Sequence, residues 1–154
     1  MHLRSLELVR VLRRGDKESS KFSPRPKEYE AGCAPILADA NFPTSSICKR
    51  GGGKELRADG HPIPPLLDAI LQLMPLDVYH HPVAVMEPVE AGLKVEIWQE
   101  YEDVIERHHG KRLDLERVER FAFYERARQA YAVIHTGETA SYGNIILKMG
   151  VISD

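Results

Sequence analysis

The sequence is poor in the features that mark several large classes of protein. It has only two cysteines, Cys33 and Cys48, which are too few for a disulfide framework and lack Cys-x-x-Cys spacing. With 21 basic and 23 acidic residues, the formal net charge of -2 gives no long-range attraction for nucleic acid or an anionic membrane. The composition indicates a soluble protein of the reducing cytoplasm.

Long apolar runs and nucleotide, hydrolase and metal motifs are also missing. The first 14 residues alternate leucine with charge, unlike a signal peptide, and no later run approaches the length of a membrane span. The pairs His80-His81 and His108-His109 are adjacent, so their side chains point in different directions on a helix or a strand. We therefore expect no nucleic acid, no membrane, no metal and no organic cofactor.

What the sequence does contain is the alternating pattern of an α/β fold in a single compact domain. Apolar periodicity predicts an N-terminal helix within residues 1–14, and the Ser-, Pro- and Lys-rich residues 15–35 indicate a loop or disordered linker. The main domain is then 36–154. Within it the sequence predicts strands at 36–38, 83–86, 131–135 and 142–147, helices at 66–74, 97–109 and 120–130, and a hairpin or loop at 51–60.

Five short motifs occur in one order along the chain. They are LADANFP at 37–43, RADG at 57–60, PLDVY at 75–79, ERFAFYERA at 119–127 and GETASYGNIIL at 137–147. Together they resemble the ribose pyranase and fucose mutarotase family, in its L-fucose branch. The resemblance implies that family's α/β fold, a homo-oligomeric ring with active sites between subunits, and interconversion of sugar anomers without a cofactor.

Such a reaction needs only a paired acid and base. A proton leaves the anomeric hydroxyl while another reaches the ring oxygen, and closure on the other face of the carbonyl reverses both transfers. The substrate expected from the resemblance is L-fucose or another pyranose. The resemblance implies Asp39 and Tyr124 as catalytic residues and Asp39 and Asp77 as residues that bind the sugar. Arg120, Tyr142 and Asn144 are further candidates for binding the sugar, because a guanidinium can donate to two hydroxyls and an amide can both donate to hydroxyls and accept from them.

Each of these residues also has a structural interpretation. Asp39 would close an Asx turn, Asp77 would be a loop acid before a strand, and Tyr124 would be a core or interface tyrosine. Tyr142 and Asn144, two residues apart on a predicted strand, would face one side of it as a cross-strand pair.

Arg120 has an ordinary alternative as well, which is an ion pair with Glu119 or Glu125. Glu138 is expected to shape the turn in which it lies.

One departure from the family pattern bears on activity. The family carries Gly-His-Gly-Asp after its first helix, and that histidine donates the proton, whereas this chain has Arg14-Gly15-Asp16 followed by the 15–35 segment. An altered N-terminal segment, by splicing or in the gene model, would explain the change. His61 is the one nearby substitute, and the alternative to a mutarotase is a sugar-binding or assembly relative that has little or no turnover.

Overall fold

The structure is a computed structural model and describes residues 34–78 and 81–150. The predicted N-terminal helix and all but the last two residues of the 15–35 segment lie outside these ranges. The strands are β1 (Pro35–Ala38), β2 (Lys54–Ala58), β3 (Val83–Met86), β4 (Glu116–Val118), β5 (Ala132–Thr136) and β6 (Ile145–Leu147). The helices are α1 (Thr44–Gly51), α2 (Ile63–Leu71), α3 (Ile97–His109) and α4 (Arg120–Arg128).

The six strands form one sheet in the order β2-β5-β1-β6-β3-β4. β1 pairs in parallel with β5, β5 with β2, and β3 with β4, while β6 runs antiparallel to both of its neighbours. Five strands therefore point the same way, and β6 is inserted among them in the reverse direction. We call the edge at which the five parallel strands end the carboxyl edge, and the opposite one the amino edge.

Alternating side chains place one apolar core on each face of the sheet. On β3, for example, Val83 and Val85 join the core covered by α2 and α3, whereas Ala84 and Met86 join the core covered by α1 and α4. The period of two along each strand produces this division. The result is a sheet between two helical layers, which is the α/β architecture that the sequence predicts.

The strongest sequence patterns correspond to observed elements. The strand at 83–86 and the helix at 97–109 have the expected bounds, and the predicted helices at 66–74 and 120–130 and strands at 36–38 and 131–135 overlap observed elements. α3 ends at His109 and is capped by Gly110, which has a φ of 79° and whose N–H donates to the carbonyl of Glu106. Among the described residues, no helix is both long and apolar enough to cross a membrane.

Two local predictions are wrong. The 51–60 region is not a hairpin or loop, because Gly51 ends helix α1 and residues 54–58 form the parallel strand β2. The predicted strand at 142–147 begins only at Ile145, since Tyr142 has a φ of 58° and cannot continue an extended strand.

Candidate active site

The polar residues of two adjacent strands meet at the carboxyl edge. Asp39 directly follows β1, and Asn144 directly precedes β6, the antiparallel neighbour of β1. The main-chain N–H of Asp39 donates to Oδ1 of Asn144 across 2.8 Å, and both side chains are buried. The reversed direction of β6 therefore joins residues that are 105 positions apart in the sequence.

The carboxyl group of Asp39 is shielded from water. The residue is only 6% exposed, and its Oδ1 accepts the N–H of Asn41 at 3.0 Å. Burial raises the pKa of Asp39 above its usual value, while hydrogen bonds from the main chain of Asn41, Gly143 and Phe42 and from the side chain of Asn144 oppose that rise. The Asx turn weighed for Asp39 is present, and the same carboxylate lies at the edge where the other polar groups collect.

Residues 142–144 form a turn whose backbone is unusual. Tyr142 is the one non-glycine residue with a positive φ in the described ranges, and its hydroxyl accepts the N–H of Val89 at 3.3 Å. A tyrosine in the left-handed region is strained, and such conformations are common at functional sites. The sequence predicts that Tyr142 and Asn144 face the same side of a strand. They lie instead in this turn, before the strand begins.

Helix α4 brings an arginine and a phenol to the same edge. The Arg120 guanidinium carbon lies 5.8 Å from the ring centre of Tyr124, whose ring centre is 5.7 Å from that of Phe42. Phe42 belongs to the loop that follows Asp39, so this contact links α4 to the Asp39 side of the site.

The two acids weighed as ion-pair partners of Arg120 have other roles. The Glu119 carboxylate accepts the N–H groups of Phe121 and Ala122 and caps α4, and Glu125 pairs with Arg128. Arg120 is solvent-exposed at the start of the helix and available to bind a ligand.

Asp77 is far from the rest of the predicted site within one chain. Its main-chain N–H donates to the carbonyl of Lys148 at 2.9 Å, and its carboxylate lies 3.1 Å from the Lys148 ammonium. Lys148 follows β6, whereas Asn144 precedes it, so the two positions lie about 13 Å apart along an extended strand. The structure thus brings Asp39, Tyr142, Asn144, Arg120 and Tyr124 to the carboxyl edge and leaves Asp77 at the amino edge.

Sequence reasoning missed a histidine at the carboxyl edge. His135 is half-buried near the end of β5, and its Nδ1 lies 2.8 Å from the Thr44 hydroxyl. It is in register with Ala38, the residue before Asp39, on the adjacent parallel strand. The available signal was its place at the carboxyl end of a strand in an α/β sheet, where ligands commonly bind. His61, the substitute named from the sequence, follows β2 and exchanges main-chain hydrogen bonds with Ala58 and Gly137.

Chemically, the edge offers acid-base and hydrogen-bonding groups. It combines a buried carboxylate, two phenols, an amide and a guanidinium, which are groups suited to sugar hydroxyls. Within residues 34–78 and 81–150, no three His, Cys, Asp or Glu side chains are grouped so as to hold a metal ion.

Comparison with known proteins identifies the family. The model of the RbsD / FucU transport protein family matches residues 35–152, so the chain belongs to that family. The sequence is 56% identical over 121 residues to a fucose mutarotase of Danio rerio, which covers 76% of this chain and 78% of the relative. The family resemblance seen in the sequence is thereby confirmed.

Solved structures agree with this result. FucU from Bifidobacterium longum superposes with a TM-score of 0.76 at 37% identity and covers 96% of this chain and 95% of its own. The fucose mutarotase of Streptococcus pneumoniae, solved in complex with L-fucose, gives a TM-score of 0.70 at 44% identity, with 78% of this chain and 84% of that one covered. The α/β fold expected from the resemblance is confirmed as well.

Proposed function

We propose that this protein is a cofactor-free mutarotase that interconverts the α and β anomers of L-fucopyranose. The observation that carries the proposal is the buried Asp39, whose main-chain N–H donates to Oδ1 of Asn144 and whose carboxylate accepts from the Gly143 main chain and the Asn144 side chain. The chain is related to a fucose mutarotase solved with L-fucose. No electron moves and no group leaves in this reaction, so proton transfer and positioning suffice.

Asp39 and Tyr124 serve as the catalytic pair in this proposal. One takes the proton of the anomeric hydroxyl while the other delivers a proton to the ring oxygen, and the roles reverse on ring closure. Asp39 suits the accepting role because its raised pKa makes it a stronger base than an exposed aspartate. Arg120, Tyr142 and Asn144 hold the other hydroxyls.

Asp77 belongs to the same function through a neighbouring subunit. One pyranose cannot reach both edges of the sheet, so Asp77 would bind sugar held at the carboxyl edge of another copy. Exposed apolar side chains lie near both edges: Val78 is 73% exposed beside Asp77, and Val89 and Phe121 are 77% and 73% exposed near the carboxyl edge. Such residues favour an assembly of copies, and we propose a homo-oligomer with its sites between subunits, located in the cytoplasm.

Saturation-transfer NMR of the anomeric protons of L-fucose tests the function directly. The chain is expected to accelerate exchange between the two anomers, and Asp39→Asn is expected to reduce that acceleration by about a hundredfold, as loss of a proton-transfer group does. Asp103→Asn is the matched control, because Asp103 is an exposed carboxylate on α3 whose side chain is 58% exposed. Sugar binding without exchange would refute the enzyme and support a non-catalytic sugar-binding relative.

A further inference from the structure

The Tyr142–Asn144 turn is supported from behind by two aromatic donors on helix α3. The indole Nε1–H of Trp98 donates to the carbonyl of Tyr142 at 3.0 Å, and the hydroxyl of Tyr101 donates to the carbonyl of Gly143 at 2.6 Å. Trp98 and Tyr101 are three residues apart, so they lie on one face of the helix. Two consecutive carbonyls of the site turn are thus held by one helix.

The turn also needs such support. Tyr142 is in the strained left-handed region, which persists only where the surroundings enforce it. Gly143 is packed so closely that a Cβ there would lie 3.0 Å from the carbonyl oxygen of Ala140 and 3.1 Å from Cγ of Glu138. The main chain around Gly143, directly before Asn144, is therefore held tightly by its neighbours.

The donors themselves are rigid. Tyr101 is fully buried and Trp98 is 7% exposed, and both belong to the core between the sheet and helices α2 and α3. Burial, with Glu138 and Asp39 adding to it, raises the pKa of Tyr101, so its hydroxyl keeps its proton and remains a donor. The guanidinium carbon of Arg117 also lies 5.4 Å from the centre of the Trp98 ring, a cation–π contact.

We infer that Trp98 and Tyr101 are positioning residues of the active site, which set the Tyr142 hydroxyl and the Asn144 amide in their catalytic geometry. They act on the sugar only through the 142–144 turn and have no contact with the reacting atoms themselves. The inference rests on the proposed function, because it assigns these residues to the same site. Small misplacements of binding groups lower rates more than they lower stability.

The first test removes a single hydroxyl. Tyr101→Phe keeps the ring in the core and deletes the bond to Gly143, so anomer exchange per folded molecule is expected to fall about tenfold. Tyr131→Phe is the matched control, since its hydroxyl accepts from Lys54 on the exposed surface, and exchange there is expected to stay within about twofold. Rates are measured well below the unfolding temperature of each variant, so that a loss of stability alone leaves them unchanged.

The second test uses the unaltered chain. Trp98 is the only tryptophan, so its indole N–H gives one ¹H–¹⁵N NMR signal. L-Fucose is expected to shift that signal with the same saturation curve as binding measured by calorimetry, and Asp103→Asn to leave the shift intact.

The outcomes separate the two claims. A wild-type chain that binds but does not exchange fucose refutes the proposed function, and the sugar-dependent indole shift and the fucose affinity of Tyr101→Phe then still test the positioning role. Exchange in the wild type that persists unchanged in Tyr101→Phe, together with an indole signal that ignores saturating fucose, overturns the inference alone.

Discussion

Two features of its surroundings act in opposite directions on the pKa of the Asp39 carboxyl group. Burial disfavours its charge, and the surrounding N–H groups favour it, with burial the larger effect, so that the pKa is raised. When the pKa of an acid is higher in the folded than in the unfolded state, its protonated form stabilises the fold. This contribution to the free energy of unfolding is complete at pH values below the unfolded-state pKa. That contribution is lost as the pH rises through the folded pKa.

The sign of this linkage gives a prediction for Asp39→Asn. Because asparagine does not titrate, the variant should gain stability relative to the wild type as the pH rises from about 3.5 to neutrality. Urea unfolding at several pH values measures the difference. A gap between the two proteins that stays constant with pH would contradict the raised pKa, and Asp103→Asn controls for the loss of one carboxylate.

On the scale of elements, a bidentate ion pair connects helix α4 to strand β4. The Arg126 guanidinium donates to both oxygens of Glu116 at 2.8 and 2.6 Å. The hydrogen bonds from Arg126 are the main reason why the pKa of Glu116 is lowered. This pair fixes the helix that carries Arg120 and Tyr124 to the sheet.

Glu116→Gln should therefore weaken the fold in a pH-dependent way. A lowered folded pKa contributes stability above the unfolded pKa, and that contribution disappears as the pH falls through the folded pKa. The pair is partly exposed, with side-chain exposures of 42% and 29%, so solvent screening limits the expected loss at pH 7 to about 0.5 kcal/mol.

Denaturant unfolding at pH 7 and below pH 3 measures this effect. The difference from the wild type should vanish at the lower pH, and Glu125→Gln, which alters an exposed pair within α4, should change stability less. A loss for Glu116→Gln that is equal at both pH values would show that charge is not its cause.

Sequence patterns predicted the elements that are strongly apolar and periodic. β3 is buried along its whole length and α3 carries a stripe from Ile97 to Ile105, so both were found with their bounds. β2 was missed because it is an exposed, polar edge strand, and α1 because only three of its residues are buried. These elements owe their form to the neighbours they pair with, which a local pattern does not show.

The same limit applies to the site. The motifs identified the polar residues, but the separation of Asp77 from Asp39 depends on the direction of β6, which is a property of the whole sheet. His135 was missed because a single histidine at the end of a strand has no distinctive spacing.

On the scale of the whole molecule, the proposed site combines the carboxyl edge of one copy with the amino edge of another. One copy alone should therefore not form a complete active site. Asp39→Asn and Asp77→Asn should each lose fucose exchange. When subunits of the two variants are mixed in equal amounts and reassembled, about one interface in four combines an intact carboxyl edge with an intact amino edge. The mixture should therefore recover about a quarter of wild-type exchange. Mixing Asp39→Asn with Tyr142→Phe, which alter the same edge, is the control and should recover nothing. A monomer in light scattering at micromolar concentration, or no recovery in the first mixture, would contradict sites between subunits.

The place of β6 also bears on how the chain folds as it is synthesised. β6 lies in the middle of the sheet, yet Ile145–Leu147 is the last of its strands along the chain. Until that segment leaves the ribosome, no strand joins β1, which pairs with β5 and β2, to β3, which pairs with β4. The apolar strands β1 and β3 then each have one side with unpaired main-chain hydrogen-bonding groups. The two unpaired strands leave the nascent protein open to aggregation until β6 has been synthesised and inserted between them.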